Sequence, residues 1–309
     1  MLTNIFIFIA ALYLVINGST MATKYAARLA GSFRLSKYTI GFIIVAIISI
    51  LPETFIAINS ALEGVPSFGL GVLFGSNIAD LTLVFVIIVL YAGRSLTIES
   101  KILKIHTVYP FLLLLPVVLG LDGHFSRFEG MALIIVGAVF YYITLRNGTN
   151  TRPALSNGTD RYKSIFLLLT SMGVLLLGAH FTVVSVAAVA QNIGINPIVI
   201  GMLIVGLGTT MPELFFSLNS VKRRDDSLAI GDLFGTVLAD ATVVVGILAM
   251  VSPFAFPQKI IYITGSFMVL SSFILFRFMR SGRTLTRREV YMLSLLWLAF
   301  VIVEFVANR

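Results

Sequence analysis

Residues 41–85 read GFIIVAIISILPETFIAINSALEGVPSFGLGVLFGSNIADLTLVF, and residues 201–245 read GMLIVGLGTTMPELFFSLNSVKRRDDSLAIGDLFGTVLADATVVV. The second stretch repeats the first at an offset of 160, without a gap and with 17 of 45 positions identical. Pro52-Glu53 falls on Pro212-Glu213, and Asp80 falls on Asp240. The same offset extends outward, matching Ile5-Phe6 with Ile165-Phe166 and Gly18 with Gly178. Each copy carries one Glu and one Asp at matching positions within apolar sequence. A carboxylate in hydrocarbon costs about 2.5–17 kcal/mol. Four of them at repeated positions need a stabilising partner, and a shared cation is one.

The chain of 309 residues is 58% hydrophobic and 12% charged, whereas a soluble domain is about 25% charged. Apolar runs long enough to cross a bilayer follow one another at about 3–27, 38–62, 68–91, 106–121, 129–146, 164–190, 197–220, 228–251, 259–278 and 287–306. They lack the alternation of barrel strands, and the backbone must satisfy its own hydrogen bonds in lipid, so helices are expected. The expectation is an all-α membrane protein of ten transmembrane helices in two inverted five-helix repeats. The first repeat is assigned to 1–146 and the second to 164–309. Between them the polar stretch 147–163, rich in Asn, Gly and Thr, reads as a cytoplasmic linker. The first span has no basic residue before its apolar core and reads as a retained helix rather than a cleaved signal.

Lys and Arg set the expected orientation. The odd-numbered loops hold 19 of the 22 basic residues; the even loops and the termini hold Arg127, Lys259 and Arg309. Basic residues near span ends mark the cytoplasmic side, so both termini are expected outside, in a prokaryotic plasma membrane. The net charge of +8 is then a topology signal; no folded basic surface is left for nucleic acid. With no cysteine, thiolate catalysis and cysteine-ligated metal are excluded. Histidines at 106, 124 and 180 make no His-Glu-x-x-His motif. An aspartyl protease built on Asp80 and Asp240 would leave both Pro-Glu pairs without a role. The chain therefore reads as a transporter rather than an enzyme, with inorganic cations and the bilayer as its partners, no cofactor and no protein partner.

Five crossings per repeat make equivalent helices run in opposite directions, the plan of secondary transporters with a binding site at the midplane. Glu53 and Glu213 each follow a proline in mid-span. Proline gives no N–H to the carbonyl four residues back, here Ile48 and Gly208, so the helix should break there. Ser49 lies beside one break and Thr209-Thr210 beside the other. Ser76 and Asp80, like Thr236 and Asp240, share a helix face four residues apart. Carboxylate, hydroxyl and carbonyl oxygens are the ligands of hard cations such as Ca2+ and Na+. The glycines 71 and 75, and 231 and 235, read as close helix contacts. Asn77 and the mid-span His180 are possible lining residues. Asp232 is assigned to the positive start of its helix, Glu304 to solvent, and the run 222–226 to a solvated loop. A passive channel, which charged rings could also line, is the competing transport reading.

The stretches ILPETF…GSNIAD and GTTMPELFFSL…GTVLAD resemble the two repeats of sodium/calcium exchangers, in the compact prokaryotic form with ten helices. The resemblance implies cation binding at Glu53, Ser76, Asp80, Thr209, Thr210, Glu213, Thr236 and Asp240, with Ser49 at the first hydroxyl position. It also implies backbone contributions near Ala46 and Gly206. It implies exchange of Ca2+ for Na+ by alternating access, with helices one and six sliding over a stationary core. The chain departs from the family pattern in having Ile48-Ser49-Ile50 where Gly-Thr-Ser is usual, and an acid at 80 where Asn is frequent. Thr20 and His180 stand where the family often has acids. Four carboxylates and one Ca2+ leave a formal charge of −2, so further Na+ or protons must enter. A Ca2+(cation)/H+ antiporter using the same site is the alternative.

Overall fold

A computed structural model describes residues 2–32, 35–62, 64–99, 108–147, 159–192 and 205–307. It contains α1 (Leu2–Ser32), α2 (Lys37–Leu62), α3 (Pro66–Ala92), α4 (Tyr109–Leu119, extended by a 3-10 turn to Asp122) and α5 (Arg127–Asn147). The second half contains α6 (Thr159–Asn192), α7 (Gly206–Thr209 with Met211–Lys222), α8 (Asp226–Val251), α9 (Ile260–Arg280) and α10 (Arg287–Ala307). Each expected span coincides with one of these; residues 106–107 and 197–204, and 148–158 of the linker, lie outside the described residues. By length and composition α2, α3, α5, α8, α9 and α10 can each cross a membrane, and shorter apolar helices lie at Tyr109–Asp122 and Tyr162–Gly178.

The centre of the molecule belongs to the repeated stretches. The apolar windows of α3 and α8 are 89% and 78% buried, against 28% and 22% for α5 and α10. The outer helices present Ile135, Leu295 and Ile302 to the surroundings, as helices facing lipid do. The crossing of α2 with α8 is made by glycine. A Cβ on Gly231 would lie 2.3 Å from the Tyr38 carbonyl oxygen, and one on Gly235 would lie 2.3 Å from that of Phe42. From the other side, a Cβ on Gly41 would lie 2.3 Å from the Leu228 carbonyl oxygen. Tyr109 and Tyr141 steady this region by donating their hydroxyls to the carbonyls of Phe234 and Gly235, at 2.6 and 2.8 Å. Around them Phe276 stacks on Tyr109 and on Phe234, and the three ring centroids lie 5.0–5.3 Å apart.

Four short strands record the relation of the two halves. β1 (Leu96–Thr97) pairs antiparallel with β4 (Thr284–Leu285), and β2 (His124–Phe125) pairs with β3 (Phe254–Ala255). β1 follows α3 and β3 follows α8, whereas β2 precedes α5 and β4 precedes α10. Each pair thus joins one kind of loop from one half to the other kind from the other half. β1 lies before α4 and β2 after it, while β3 lies before α9 and β4 after it, so each clasp pairs a strand that precedes this helix in one half with a strand that follows it in the other, as opposite orientation of two like halves requires. The halves also share their helix starts. Ser126 and Glu129 form a capping box on α5, and Thr286 and Glu289 form the same box on α10, with backbone N–H to carboxylate distances of 2.7 and 2.8 Å. Such boxes satisfy N–H groups that have no partner within the helix.

Candidate functional site

Both prolines interrupt their helices as expected. Ile50 and Thr210, two residues before Pro52 and Pro212, hold φ, ψ of −73°, −2° and −76°, −1°. These values leave the α-helical basin for the sparsely used bridge region. Each broken turn then packs on the acid-bearing helix of the opposite half. Ala46 in α2 meets Gly235 in α8, where a Cβ on the glycine would lie 2.5 Å from the Ala46 Cβ. In the mirrored position, a Cβ on Gly206 in α7 would lie 3.4 Å from the Ser76 nitrogen in α3. Thr209 also stands within hydrogen-bonding reach of Glu53, joining the two turns.

Glu53, Asp80, Glu213 and Asp240 are all buried, at no more than 1% exposure. Glu53 lies in electrostatic range of Asp80, Glu213 and Asp240. Among the described residues, both carboxylate oxygens of Asp80, Glu213 and Asp240, Glu53 Oε2 and the Thr236 hydroxyl have no hydrogen-bond partner. A buried oxygen without a partner forfeits about 1–3 kcal/mol, more if charged, so these groups are arranged for something other than one another. Ser76, Thr209 and Thr210 are buried and donate to the carbonyls of Leu73, Gly206 and Leu207 at 2.9–3.0 Å, leaving hydroxyl lone pairs available. Among the described residues, no three acidic or imidazole groups are drawn together tightly enough to enclose a metal ion. The carboxylates influence one another electrostatically but do not form a closed shell.

Asp80 and Asp240 each open a π-helical turn, Asp80–Val84 and Asp240–Val244. A π-turn widens the ladder and frequently marks a functional position. In both halves a threonine inside the turn, Thr82 or Thr242, donates back to the carbonyl four residues earlier, at 2.5 and 2.6 Å.

The structure corrects four sequence readings. Asp232 does not serve the start of α8: it is fully buried, and the Ser49 hydroxyl donates to its Oδ1 at 3.2 Å. It lies beyond the first turn, whose free N–H groups were its expected partners. Glu304 is not solvated. It is 3% exposed and accepts from the Thr264 hydroxyl at 3.3 Å, because it lies on the face of α10 turned towards α9. His180 is exposed, in edge contact with Phe181, and is not buried with the four carboxylates. The run 222–226 is a solvated loop only in part. Lys37 pairs with Asp225, and Asp226 is clamped by Arg94 at 2.7 Å and by the Thr97 hydroxyl at 3.0 Å. Asn77 is buried, as a lining residue would be, but its amide points to the Met268 sulfur at 3.5 Å. Ser217, one turn beyond Glu213 and buried with an unpartnered hydroxyl, went unremarked in the sequence; its spacing from Glu213 is the signal that could have found it.

A family model described as sodium/calcium exchanger protein matches residues 3–146 and 163–306. The chain belongs to the sodium/calcium exchanger family. Among relatives, sodium/calcium exchanger MaX1 of Methanosarcina acetivorans is 24% identical, with 98% of each chain covered. Putative antiporter CaxA of Alkalimonas amylolytica is 27% identical over 74% of each. The fold superimposes on the sodium-calcium exchanger NCX_Mj soaked with 100 mM Na+ and 10 mM Sr2+, with a TM-score of 0.85, 24% identity and coverage of 99% and 98%. This exchanger-family chain is thus an integral membrane protein with the fold of ten transmembrane helices in two inverted repeats. Its family is one of ion transporters, not of enzymes.

Proposed function

We propose that the chain exchanges Ca2+ for Na+ across a prokaryotic plasma membrane by alternating access at one midplane site. Glu53, Asp80, Glu213 and Asp240 would supply the charge, and Ser49, Ser76, Thr209, Thr210 and Thr236 hydroxyl ligands. Carbonyls near Ala46 and Gly206 would complete the oxygen set. The observation that carries the reading is the pair of mirrored broken turns, each set against the acid helix of the other half, with buried carboxylate oxygens facing no partner. Hard cations with oxygen ligands fit such a set. The moving parts would be α1 and α6, which pack on each other outside the core; a Cβ on Gly18 would lie 2.7 Å from the Leu175 nitrogen. Units at 1–146 and 164–309, joined by a cytoplasmic linker at 147–163, complete the organisation.

Uptake of 45Ca2+ into proteoliposomes under imposed gradients tests the reading. An outward Na+ gradient drives uptake, and dissipating it stops uptake. Uptake driven only by a pH gradient would select the Ca2+/H+ alternative, which Ile50 in place of a hydroxyl residue favours. Uncoupled current would mean a channel. Orientation has its own test, helped by the absence of native cysteine. A cysteine placed at Thr151 should resist an impermeant maleimide in intact cells and react in inverted vesicles. The opposite pattern would place both termini in the cytoplasm.

A further inference from the structure

We propose that two equivalent polar contacts close the two ends of the protein in turn: Thr20 with Asn219, formed in this structure, and His180 with Asn59, formed when the opposite end closes. Two such closures presuppose the alternating access proposed above, whichever ions are carried. The formed contact joins the movable α1 to α7. The Thr20 hydroxyl donates to Asn219 Oδ1 at 3.3 Å, and the Thr23 hydroxyl donates to the Phe216 carbonyl at 3.4 Å. Asn219 is itself held by donating its amide to the Phe215 carbonyl at 2.9 Å. Ala22, Ala26 and Leu29 of α1 share one apolar cluster with Phe216, and Phe215 packs at its edge. Beyond these contacts Lys37, at the start of α2, pairs with Asp225, just past α7. The contact therefore lies towards the end at which α1 and α7 both stop.

The 160-residue offset carries this contact into the other half: Thr20 falls on His180, Asn219 on Asn59, and Phe215 on Phe55. There the same surfaces are bare. Asn59 and His180 are both exposed, and Phe55 is 63% exposed where Phe215 is partly buried. Polar side chains within apolar spans are costly unless they face water or a partner. Like surfaces joined at one end and parted at the other are what a single state of an inverted repeat leaves. α1 and α6 touch closely, a Cβ on Gly18 falling 2.9 Å from the Leu175 Cα. They therefore shift together, and one displacement undoes the first contact as it makes the second. Imidazole reaches further than a threonine hydroxyl and, when neutral, carries both a donor and an acceptor, so it suits either end of the Asn59 amide. Val183 stands at the place of Thr23 and has no hydroxyl to donate. The second closure is thus held by one hydrogen bond fewer than the first.

Because the chain has no cysteine, paired substitutions read both closures in the full-length protein. Thr20→Cys with Asn219→Cys, and His180→Cys with Asn59→Cys, are each treated in proteoliposomes with a short, reducible bifunctional thiol reagent, and links are counted by mass. Each pair should link, and 45Ca2+ uptake should be lost in the linked protein and return on reduction. With all four cysteines present, no molecule should carry both links. A molecule with both links overturns the proposal. So does a folded His180→Cys, Asn59→Cys protein that never links in Na+, in Ca2+ or without either. A milder variant carries the test if the paired ones do not fold. Thr20→Val removes the donor at nearly constant volume and should slow maleimide labelling of Asn59→Cys by up to about fivefold, the weight of one net hydrogen bond. Unchanged labelling overturns the proposal. Mutually exclusive links in a protein whose wild type passes uncoupled current would leave the two closures standing and sink the exchange reading alone.

Discussion

Glu53→Gln and Glu213→Gln should each reduce Na+-driven 45Ca2+ uptake by about a hundredfold or more while the protein still reaches the membrane and purifies as a single species. Glutamine retains the volume, so the packing of the broken turns is preserved. What disappears is one negative charge and one anionic oxygen. An interaction with a charged group is worth about 1.5–3 kcal/mol, and 2.7 kcal/mol is about a hundredfold. Glu213 leaves both oxygens unpartnered and Glu53 leaves one, and the glutamine that replaces Glu53 keeps an oxygen within reach of the Thr209 hydroxyl. Wild-type uptake rates in either variant would remove that residue from the site.

Gly235→Ala should loosen the whole centre. The added methyl would sit 2.3 Å from the Phe42 carbonyl oxygen and 2.5 Å from the Ala46 Cβ. Backbone is the obstacle, so no side-chain rotation relieves it and α2 must lift away from α8. Overpacking a tight contact costs about 1–3 kcal/mol, occasionally more. Here the displacement also carries Ser49 and Glu53 away from Thr236 and Asp240. The measurement is the thermal midpoint for loss of the monodisperse peak in size exclusion, with 45Ca2+ uptake alongside. Gly173→Ala is the control, since nothing lies within 4 Å of its added methyl. Equal midpoints for the two variants would contradict the close crossing.

The fold was legible because its signals are long and redundant: ten apolar runs, a gapless 160-residue offset, and Pro-Glu in both halves. The glycines at 231 and 235 were legible as contacts for the same reason, since small residues one turn apart have few other uses in apolar helices. What escaped were properties that one helix alone does not determine. The π-turns at Asp80 and Asp240 leave the 3.6-residue pattern almost undisturbed. Asp232 lies near enough to a helix start to invite a local explanation, and only the crossing of α2 brings Ser49 against it. Glu304 sits between strongly exposed Ile302 and Val306, and which face turns inward depends on α9. His180 showed the reverse error: an ionisable group in mid-span drew attention, yet its side chain points outward.

The two strand clasps bear on how the protein could have arisen and what keeps it whole. Each clasp borrows one edge from either half, and each broken turn rests on a helix of the opposite half, so neither half can finish its own structure. The covalent connection through 147–158 is therefore not what unites them. An ancestral gene of half the length, inserted into the membrane both ways up, would have possessed every complementary surface needed to assemble as an antiparallel pair, and fusion would have added only a guaranteed ratio of the two orientations.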